Sequence, residues 1–559
     1  MAADPDATKV EWRDWRPESF AAARKAEKPI LLALVTTWAD ECYEMDRGAY
    51  ADPRIAGNIN DSFVPIRVDA DRHPRVRERY NMGGFPSTVF LTPDGDILTG
   101  ATYLGVDGFR PILDSVRRTW EQNGSDAGSV PRVIRDAEPP RGTVDDSIEE
   151  HMVEQLLGAY DEEYGGWGTD RKFPMPRTIE FALVRAPDQG IRTLEAIRAH
   201  LVDTYDGGFY RFARHRNWRG ARLEKLTDEN TALIRAFVRG YRYTGEEAFR
   251  EAAETGADYL TTTLWTGEAF AASQGGDESY FRLESTERED TTAPAVDETI
   301  FADRNGLAID ALLWLTAYTD AEGPRAYARR AMQYVSTTLV DDGCVSHFPA
   351  ADGENASVER AWQGERGLLL DQARVLTGFT TAWQVLGEAG PAREVADWTL
   401  EHLQTTDGAL LDGPTGGPGL LADPLYPLDT AVDCADAFLD LALLTGEDRY
   451  QTAAREAVSS FAGATDRMGV EVAQFAAVAA RLQRPSVIEV GTPAGTALHR
   501  AALRLADHET VVVPGADDSD RNPVADEPVR RGEARVVTAG SVEGTASDPA
   551  ALEAVLTDS

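Results

Sequence analysis

The feature that most constrains the fold is a repeated break in a long helical region between residues 146 and 482. Apolar residues at helical spacing dominate this region, and short breaks rich in Asp, Gly and aromatic residues interrupt it. The breaks resemble one another: Tyr164-Gly165-Gly166-Trp167, Asp206-Gly207-Gly208-Phe209, Asp342-Gly343-Cys344 and Asp407-Gly408-Ala409. Similar connections at intervals predict repeated helix pairs rather than a single bundle.

The apolar periodicity predicts about twelve helices in this region, or six antiparallel pairs. Six helical hairpins close naturally into an (α/α)6 toroid, in which long loops at one end form a cleft. The predicted helices are 148–160, 177–186, 192–205, 224–243, 247–264, 305–318, 325–339, 367–386, 392–403, 430–444, 449–462 and 470–482.

The residues before this region predict a smaller α/β domain. Short apolar runs bounded by turn formers indicate buried strands, and a Pro-Asp-Gly-Asp turn indicates a hairpin. The predicted strands are 29–35, 63–69 and 87–92. This order of elements, with Gly83-Gly84-Phe85-Pro86 just before a strand, resembles thioredoxin, whose proline in that place is cis. Pro86 is therefore the predicted cis-proline.

A set of short motifs runs through both regions: Glu27-Lys28-Pro29-Ile30, Cys42-Tyr43-Glu44-Met45-Asp46, His73-Pro74, Tyr164-Gly165-Gly166-Trp167, Lys172-Phe173-Pro174, Leu223-Glu224-Lys225-Leu226 and Asn305-Gly306-Leu307-Ala308. In these motifs the chain resembles the family typified by spermatogenesis-associated protein 20, in which a thioredoxin-like domain is fused to a six-hairpin glycosidase-like barrel. Two positions depart from the family pattern: Arg222 stands where the family has histidine, and Arg304 where it has tryptophan.

The resemblance implies a chain that is α/β plus all-α. Turn-rich, weakly apolar stretches place the boundaries between its parts. The expected segments are a thioredoxin-like domain at 1–122, an exposed linker at 123–145, the barrel at 146–482 and a small α/β segment at 484–559.

The resemblance also identifies a lost redox pair. In the family a Cys-x-x-Cys pair opens the first helix, whereas this chain has Ala39-Asp40-Glu41-Cys42. Dithiol exchange needs an attacking thiolate, and Asp40 and Glu41 would raise the pKa of the remaining thiol. We therefore expect Ala39, Cys42 and Pro86 to be vestiges of a redox site. Action of Cys42 as a monothiol is the alternative.

The strongest global property of the chain is its net charge of −38. Phosphate binding requires a basic surface, so this charge argues against nucleic acid as a partner. Acidic residues are spread along the whole chain, which favours adaptation to high salt, as in a salt-adapted archaeal-type member of the family. An ordinary acidic enzyme is the alternative.

The sequence shows no secretory signal and no apolar stretch of the roughly 20 residues needed to span a membrane. We therefore expect a cytoplasmic protein without a membrane partner. The three cysteines, Cys42, Cys344 and Cys434, are far apart and predict neither a disulfide framework nor a thiolate metal site. No cofactor is predicted, and the sequence does not identify a protein partner.

The stretch from Thr204 to Asn230 is the predicted centre of the chemistry. We expect a helix to begin near Glu224, so that Glu224 and Asp228 share one face and Lys225 can pair with Asp228. Carboxylates beside aromatic rings suit a polyhydroxylated ligand, because a ring takes the apolar side of a sugar. An acidic helix start with aromatic residues in the core is the equally weighted alternative.

Further candidates lie at predicted helix starts and in the glycine-rich loops. The predicted catalytic carboxylates are Glu224, Asp228 and Asp303, with Asp371 and Asp429 as further candidates, and His215 and His347 would suit an epimerase. The predicted substrate-binding residues are Trp167, Lys172, Tyr210, Arg211, Trp218 and Asn305. For Lys172 a structural salt bridge is the alternative.

These observations predict a barrel that binds or modifies a carbohydrate-like small molecule, as a glycosidase or an epimerase would, joined to a thioredoxin-like domain without dithiol activity. Two alternatives remain open at this point. One is a redox protein that uses a single cysteine, and the other is a non-catalytic interaction scaffold.

Overall fold

The computed structural model describes residues 8–135, 138–349, 366–517 and 528–558. The N-terminal domain is a four-stranded sheet flanked by helices, with strand order β2-β1-β3-β4. Its strands are β1 Ile30–Val35, β2 Val64–Asp69, β3 Ser87–Leu91 and β4 Ile97–Ala101. Its helices are α1 Pro17–Ala26, α2 Asp40–Arg47, α3 Pro53–Ser62, α4 Pro74–Tyr80 and α5 Val106–Asn123.

This domain has the thioredoxin-like architecture that the sequence predicts. Strand β1 is buried along its whole length and pairs with β2 in parallel and with β3 antiparallel. The peptide bond between Phe85 and Pro86 is cis, as expected.

The segment expected to be an exposed linker is partly folded. It contains a 3-10 helix, Gly124–Ala127, and the one-turn helix α6, Arg132–Arg135. The side chain of Ile134 is buried and packs in the same cluster as Leu32 and Val89 of the sheet. Burying this apolar side chain ties the start of the segment to the N-terminal domain.

Twelve helices of the described part of the barrel form six hairpins. The inner helices are α8 Pro176–Arg185, α10 Thr227–Thr244, α14 Ala302–Thr319, α16 Leu369–Leu386, α18 Leu428–Thr445 and α20 Ala473–Gln483. The outer helices are α7 Asp146–Gly158, α9 Pro187–His200, α11 Glu247–Thr262, α15 Glu322–Tyr334, α17 Ala392–Leu403 and α19 Asp448–Ser459. Two short helices, α12 Glu278–Phe281 and α13 Ser285–Glu289, lie in the loop before α14.

The six inner helices form a closed ring. Each inner helix contacts the next along the chain, and α20 contacts α8 to close the circle. Each outer helix packs on an inner neighbour, and the first outer helix, α7, packs on the last inner helix, α20. The expected (α/α)6 toroid is thereby confirmed. Of the helices in the described ranges, none is long and apolar enough to cross a membrane.

A short β-hairpin follows each of five outer helices. The paired residues are Tyr160 with Trp167, Val202 with Phe209, Trp265 with Phe270, Val340 with Val345, and Gln404 with Leu410. Four of these hairpins contain the breaks recognised in the sequence. The hairpin between Trp265 and Phe270 was not predicted, because it has a single Gly267 and no Asp-Gly or Gly-Gly pair.

Small sheets connect the loops at the hairpin end of the barrel. They contain β5 Phe212–Ala213, β6 Ala221–Arg222, β7 Lys225–Leu226, β8 Ser273–Gln274, β9 Val296–Asp297, β10 Val340–Asp341 and β11 Cys344–Val345. The remaining short turns are a π-helix at Val335–Leu339 and 3-10 helices at Gly419–Ala422, Ala462–Arg467 and Val470–Val472.

The predicted helix start at Glu224 is wrong. Helix α10 begins at Thr227, because the backbone of Lys225 and Leu226 pairs with β8 instead of continuing a helix. Glu224 and Asp228 therefore do not share a helix face. Lys225 pairs with Asp203 at 2.8 Å and not with Asp228.

The C-terminal segment is a mixed sheet that shares the core of the barrel. Its strands are β12 Ser486–Val490, β13 Val511–Pro514, β14 Ala534–Thr538 and β15 Ser541–Ala546, in the order β13-β12-β14-β15. Helices α21 Ala497–Leu505 and α22 Pro549–Asp558 accompany it. Strand β13 packs on α16 and α18, so its buried side chains join the same apolar cluster as the barrel helices.

The N-terminal domain packs against the barrel through buried polar contacts. Arg75 and Arg79 of α4 both bond Asp412, whose carboxylate is 3.0 Å from Arg75 Nε and 2.6 Å from Arg79 Nη1. Arg304 pairs with Asp71 at 2.9 Å. Separating the two parts would leave these buried charges without compensation, so the ion pairs hold the N-terminal domain against the barrel.

Candidate functional site

Acidic side chains stand at the start of several inner helices. Asp228, Asp303 and Asp429 are each the second residue of their helix, and Asp371 is the third residue of α16. The helix dipole favours a negative charge at these positions. Because the inner helices run in the same direction, these four predicted carboxylates lie at one end of the barrel.

A cleft of about 360 Å³ opens at this end of the barrel. Its walls combine apolar side chains with charged ones of both signs. The apolar residues include Phe173, Leu233, Leu307, Val432 and Phe475, and the polar ones are Arg177, Arg211, Asp228, Glu229, Arg235, Arg374, Asp429, Asp433, Glu471 and Gln474. Of the predicted catalytic carboxylates Asp228 lines this cleft, while Glu224 does not.

Several polar atoms of the cleft residues are buried without a hydrogen-bond partner among the described residues. They are Asp228 Oδ1, Glu229 Oε2, Arg374 Nε and Gln474 Nε2. Buried polar groups in folded proteins are nearly always satisfied, so each such atom requires an explanation. Four of them around one cavity indicate a place where a polar ligand or ordered water completes the hydrogen bonding.

Glu229 has the properties of an acid–base group, although the sequence interpretation did not select it. Burial raises its pKa to about 7, the neighbouring Asp228 acts in the same direction, and Arg211 opposes the shift. Arg211 Nε donates a hydrogen bond to Glu229 Oε1 at 3.0 Å. A carboxyl group that titrates near neutral pH can both give and accept a proton. Its position next to Asp228 in one acidic helix start was the available signal.

Asp303 lies deeper, beside a buried network that crosses to the N-terminal domain. Arg374 Nη1 donates to Asp303 Oδ2 at 2.9 Å, and the Asp303 amide donates to Asp371 Oδ1 at 3.2 Å. His347 lies 2.9 Å from Asp371 through Nδ1 and donates through Nε2 to the backbone oxygen of Asp71 at 2.8 Å.

The network shifts the pKa values of His347 and Asp303 towards the ionised form, whereas burial raises the pKa of Asp371. Burial alone would lower the pKa of His347, but Asp371 outweighs it and raises the pKa to about 9. Burial would raise the pKa of Asp303, yet Arg374, His347 and Arg304 hold it below its usual range. Asp303, His347 and Asp371 are close enough to ligate one cation. Both imidazole nitrogens of His347 already have partners, so these residues fit an ion-pair network instead.

Of the predicted substrate-binding residues only Arg211 is among the residues that line the cleft in the described part of the chain. Arg211 lines the cleft, and its guanidinium lies 4.4 Å from the ring centroid of Trp38 in the N-terminal domain. Tyr210 is half-buried and packs edge-on against Phe281, away from the cleft lining. His215, the other loop histidine, is exposed and does not line the cleft.

The two predicted tryptophans are core residues in this structure. Trp167 and Trp218 are each 2% exposed. Their indole nitrogens donate to backbone oxygens, from Trp167 to Leu156 and from Trp218 to Tyr164, both at 3.0 Å. A buried indole with a satisfied N–H serves the packing of the hairpin and offers no surface to a ligand in the cleft.

Lys172 stabilises a turn and is not among the residues that line the cleft. Its ammonium group donates to Asp161 Oδ2 and to the backbone oxygen of Gly168, both at 2.8 Å. Lys225 repeats the arrangement in the next hairpin, where it donates to Asp203 at 2.8 Å and to the Gly207 oxygen at 2.6 Å. The contacts of Lys172 are therefore those of the structural salt bridge that the sequence left as the alternative.

Asn305 clamps a hairpin to an inner helix. Its Oδ1 accepts from the Phe270 amide at 2.8 Å, and its Nδ2 donates to the oxygens of Phe270 and Phe301. Asn230 makes the equivalent three bonds to Phe209 and Leu226 one hairpin earlier. All polar atoms of the Asn305 side chain are used within the fold.

Glu224 takes part in the contact between the two domains. It forms an ion pair with Arg222, and the same guanidinium donates to Glu41 Oε1 at 2.6 Å in α2. Arg222 thus joins the barrel to helix α2, which contains Cys42.

The redox positions themselves are covered. Ala39 is 1% exposed and Cys42 is 2% exposed. Burial raises the pKa of the Cys42 thiol to about 12. Thr37 donates to Asp297 of the barrel at 2.8 Å, next to these residues. The barrel therefore packs against the start of α2.

Comparison with known proteins confirms the resemblance seen in the motifs. Residues 4–135 match the family model Thioredox_DsbH, described as "Protein of unknown function, DUF255". The chain is 26% identical to human spermatogenesis-associated protein 20 over 292 residues, which are 46% of this chain and 37% of the human protein. An uncharacterized protein of Caenorhabditis elegans is 25% identical over 267 residues, which are 42% of this chain and 37% of that protein.

The solved structures that resemble this one include a sugar epimerase from a ruminal bacterium. It has a TM-score of 0.44 and 13% sequence identity, and the match covers 56% of this chain and 84% of the epimerase. The cellobiose 2-epimerase of Spirochaeta thermophila has a TM-score of 0.42 and 16% identity, covering 58% and 85% of the two chains.

Proposed function

We propose that the cleft of the barrel binds and modifies a carbohydrate-like small molecule. The observation that carries this proposal is the mixture of unpartnered acceptors and donors around one cavity. In the part of the chain that the structure describes, Asp228 and Glu229 each supply an acceptor, and Arg374 and Gln474 each supply a donor, that has no hydrogen-bond partner; Arg374 Nε lies 3.8 Å from Asp433 Oδ2. A hydroxyl group both donates and accepts, so a polyhydroxylated ligand satisfies both kinds. A cation would use the acceptors alone, and an anion the donors alone.

The rest of the cleft supports a neutral ligand with an apolar face. Arg177 pairs with Asp433 at 3.0 Å, and Arg211 pairs with Glu229, so charges on the walls already offset one another. The rings of Phe173 and Phe475 contribute an apolar part of the wall. An aromatic face can take the apolar side of a sugar ring while the polar groups bind its hydroxyls.

Glu229 is the proposed proton donor or acceptor of the reaction. Its pKa of about 7 allows both protonation states at neutral pH. Glycoside hydrolysis needs a carboxylic acid that protonates a leaving oxygen, and epimerisation needs a group that exchanges a proton near neutrality. Asp228, adjacent on the same helix turn, is proposed to bind a ligand hydroxyl through Oδ1.

The monothiol alternative receives no support from the surroundings of Cys42. The thiol is buried, its pKa is raised to about 12, and the barrel covers the start of its helix. A disulfide substrate would need both access and a thiolate. We therefore assign the chemistry to the barrel and not to the thioredoxin-like domain.

Titration calorimetry with a panel of neutral hexoses and hexose disaccharides tests this function. We expect saturable binding by the wild-type protein and an affinity about tenfold lower for Asp228→Asn, since a hydrogen bond to a charged group is lost. Glu229→Gln is expected to keep binding and to lose turnover of any sugar that the wild type converts.

Glu247→Gln is the matched control, because Glu247 stands at the start of an outer helix and is exposed. It should behave as the wild type in both assays. The absence of binding across the panel, or equal affinity of the Asp228→Asn and Glu247→Gln proteins, would contradict the proposed function.

A further inference from the structure

A second, smaller cavity of about 60 Å³ lies between the thioredoxin-like domain and the barrel. We call it the inner cavity. Its lining residues from the thioredoxin-like domain are Asp71, Pro74 and Arg77, and those from the barrel are Asp228, Asp303, Arg304, His347, Leu370 and Arg374. Asp228 and Arg374 also line the larger cleft. The two spaces therefore share a wall, and two of the proposed ligand contacts, Asp228 and Arg374, stand in it.

The inner cavity contains unused hydrogen-bonding capacity. Asp303 is 4% exposed, and its Oδ1 has no partner among the described residues. Among the described residues Asp228 Oδ1 and Arg374 Nε are also buried without a hydrogen-bond partner, and Arg374 Nε lies 3.8 Å from Asp433 Oδ2 in an ion pair. Leaving such atoms unsatisfied is unfavourable, because a buried polar group has lost its hydrogen bonds to water. Three of them around a space of this size indicate a built polar site rather than a packing defect.

The charges of the inner cavity favour a neutral occupant. Its lining holds three carboxylates, Asp71, Asp228 and Asp303, and three guanidinium groups, Arg77, Arg304 and Arg374. His347 also lines the inner cavity, and its charge is offset by its partner Asp371. A cation or an anion would meet repulsion from half of these groups, whereas a hydroxyl group can donate to Asp303 and accept from an arginine.

The residues that the thioredoxin-like domain contributes to the inner cavity are held in place by buried contacts with the barrel. Arg75 and Arg79, on either side of Arg77 in α4, are buried and bond Asp412 of the barrel. Asp71, at the other end of this wall, pairs with Arg304 and accepts from His347. Arg77 itself uses Nε and Nη2 to bond Glu78, at 3.1 and 3.0 Å. In the described ranges its Nη1 has no partner.

We propose that the thioredoxin-like domain completes the sugar site of the barrel, with the inner cavity taking one hydroxyl-bearing end of the ligand and Arg77 Nη1 donating a hydrogen bond to it. This proposal rests on the proposed function of the cleft. It assigns the domain a binding role that needs no cysteine. It also makes the ligand a neutral polyol or sugar whose end is enclosed by both domains.

The test compares Arg77→Ala with Arg24→Ala in the full chain. Arg24 is a matched control, because it lies in the same domain, is exposed and pairs with Asp94 rather than facing the barrel. The probe is the tightest-binding member of the neutral sugar panel. We expect Arg77→Ala to lower the affinity about tenfold and Arg24→Ala to leave it unchanged, with both unfolding temperatures close to that of the wild type.

A second measurement needs no variant and covers the case in which Arg77→Ala misfolds. Phenylglyoxal modifies arginine side chains, and peptide mass spectrometry reports the rate at each site. Saturating sugar is expected to slow the modification of Arg77 several-fold and to leave the rate at Arg24 unchanged.

The outcomes separate this proposal from the proposed function. If Asp228→Asn weakens sugar binding while Arg77→Ala binds as tightly as Arg24→Ala, the cleft binds sugar and the role of the thioredoxin-like domain is overturned. Unprotected Arg77 in the modification experiment overturns it equally. If the wild-type protein binds no member of the panel, both proposals fall together.

Discussion

Two sets of aspartates in the barrel differ in how many of their buried carboxylate oxygens accept hydrogen bonds. Asp161 and Asp203, in the first two hairpins, are 3% and 2% exposed, and each receives a lysine, an arginine and turn amides. Asp228 and Asp303, at the starts of inner helices, each keep one buried oxygen without a hydrogen-bond partner among the described residues. Buried carboxylate oxygens and negative charge are common to both sets, so neither property identifies a binding site. A buried oxygen that lacks a hydrogen-bond donor is the property that distinguishes the candidate site.

The first set is a structural motif that repeats along the chain. Asp161 is bonded by Lys172 and Arg216, and Asp203 by Lys225 and Arg288. In both hairpins the same aspartate also accepts amide hydrogen bonds from its own turn. The chain has few lysines, and two of them are used as these clamps. The unusual presence of a lysine at these positions therefore indicates a structural ion pair and not a ligand contact.

The largest expected effect comes from removing one clamp. In Lys225→Met the ammonium group that donates to Asp203 and Gly207 is lost, and a buried carboxylate keeps only part of its compensation. We expect the free energy of unfolding to fall by about 3–5 kcal/mol, measured by urea denaturation.

Arg250→Met provides the comparison, because Arg250 pairs with Glu247 and Glu254 on the surface. Its loss should cost about 1 kcal/mol or less. A similar cost for the two variants would show that the clamp is no more important than a surface ion pair.

A smaller effect is expected from the amide clamp of the third hairpin. Asn305→Ala removes three hydrogen bonds and leaves the Phe270 amide and oxygen buried without partners. We expect a loss of about 1–3 kcal/mol in unfolding free energy. Sugar affinity measured below the unfolding transition should not change. A large loss of sugar affinity in a folded Asn305→Ala protein would support the prediction that Asn305 binds substrate.

The last expected effect has the opposite sign and belongs to the cleft. The carboxyl group of a glutamate in an unfolded chain titrates near pH 4.3, whereas the pKa of Glu229 in the fold is about 7. Between these values the folded protein binds more protons than the unfolded chain, so its stability falls as the pH rises. Glu229→Gln removes this dependence.

The Glu229→Gln protein should therefore unfold at a higher temperature than the wild type at pH 8, and the difference should vanish towards pH 4. Thermal unfolding across this range measures it. A constant difference at every pH would mean that Glu229 does not titrate in the window, and its proposed role in proton transfer would lose its basis.

Much of the barrel was predictable from the sequence, because its helices present regular apolar faces and its turns carry Asp-Gly or Gly-Gly pairs. Helix α17 lies at the predicted 392–403, and most other boundaries differ by a few residues. The start of α10 was missed because Lys225 and Leu226 pair with a strand almost 50 residues away, a contact without a local signal. Long-range pairing of this kind overrides local helix preference.

The candidate site was less predictable for a related reason. Trp167, Trp218 and Asn305 stand in the most recognisable motifs, but those motifs stabilise the hairpins. Glu229 has no motif of its own, and its importance depends on burial and on Arg211. The approach of Asp71 to His347 brings together residues 276 positions apart. Only the folded chain shows that the thioredoxin-like domain reaches the end of the barrel where the cleft opens.

The closure of the helical ring has a consequence for how the protein is made. Helix α7 is the first element of the barrel to leave the ribosome, and its packing partner, α20, is among the last. The intervening hairpins can stack on one another during synthesis, but the apolar face of α7 lacks its main helical partner until α20, which ends at Gln483, has emerged. Nascent chains are therefore expected to expose that face for most of translation, which is the period in which a chaperone would be needed.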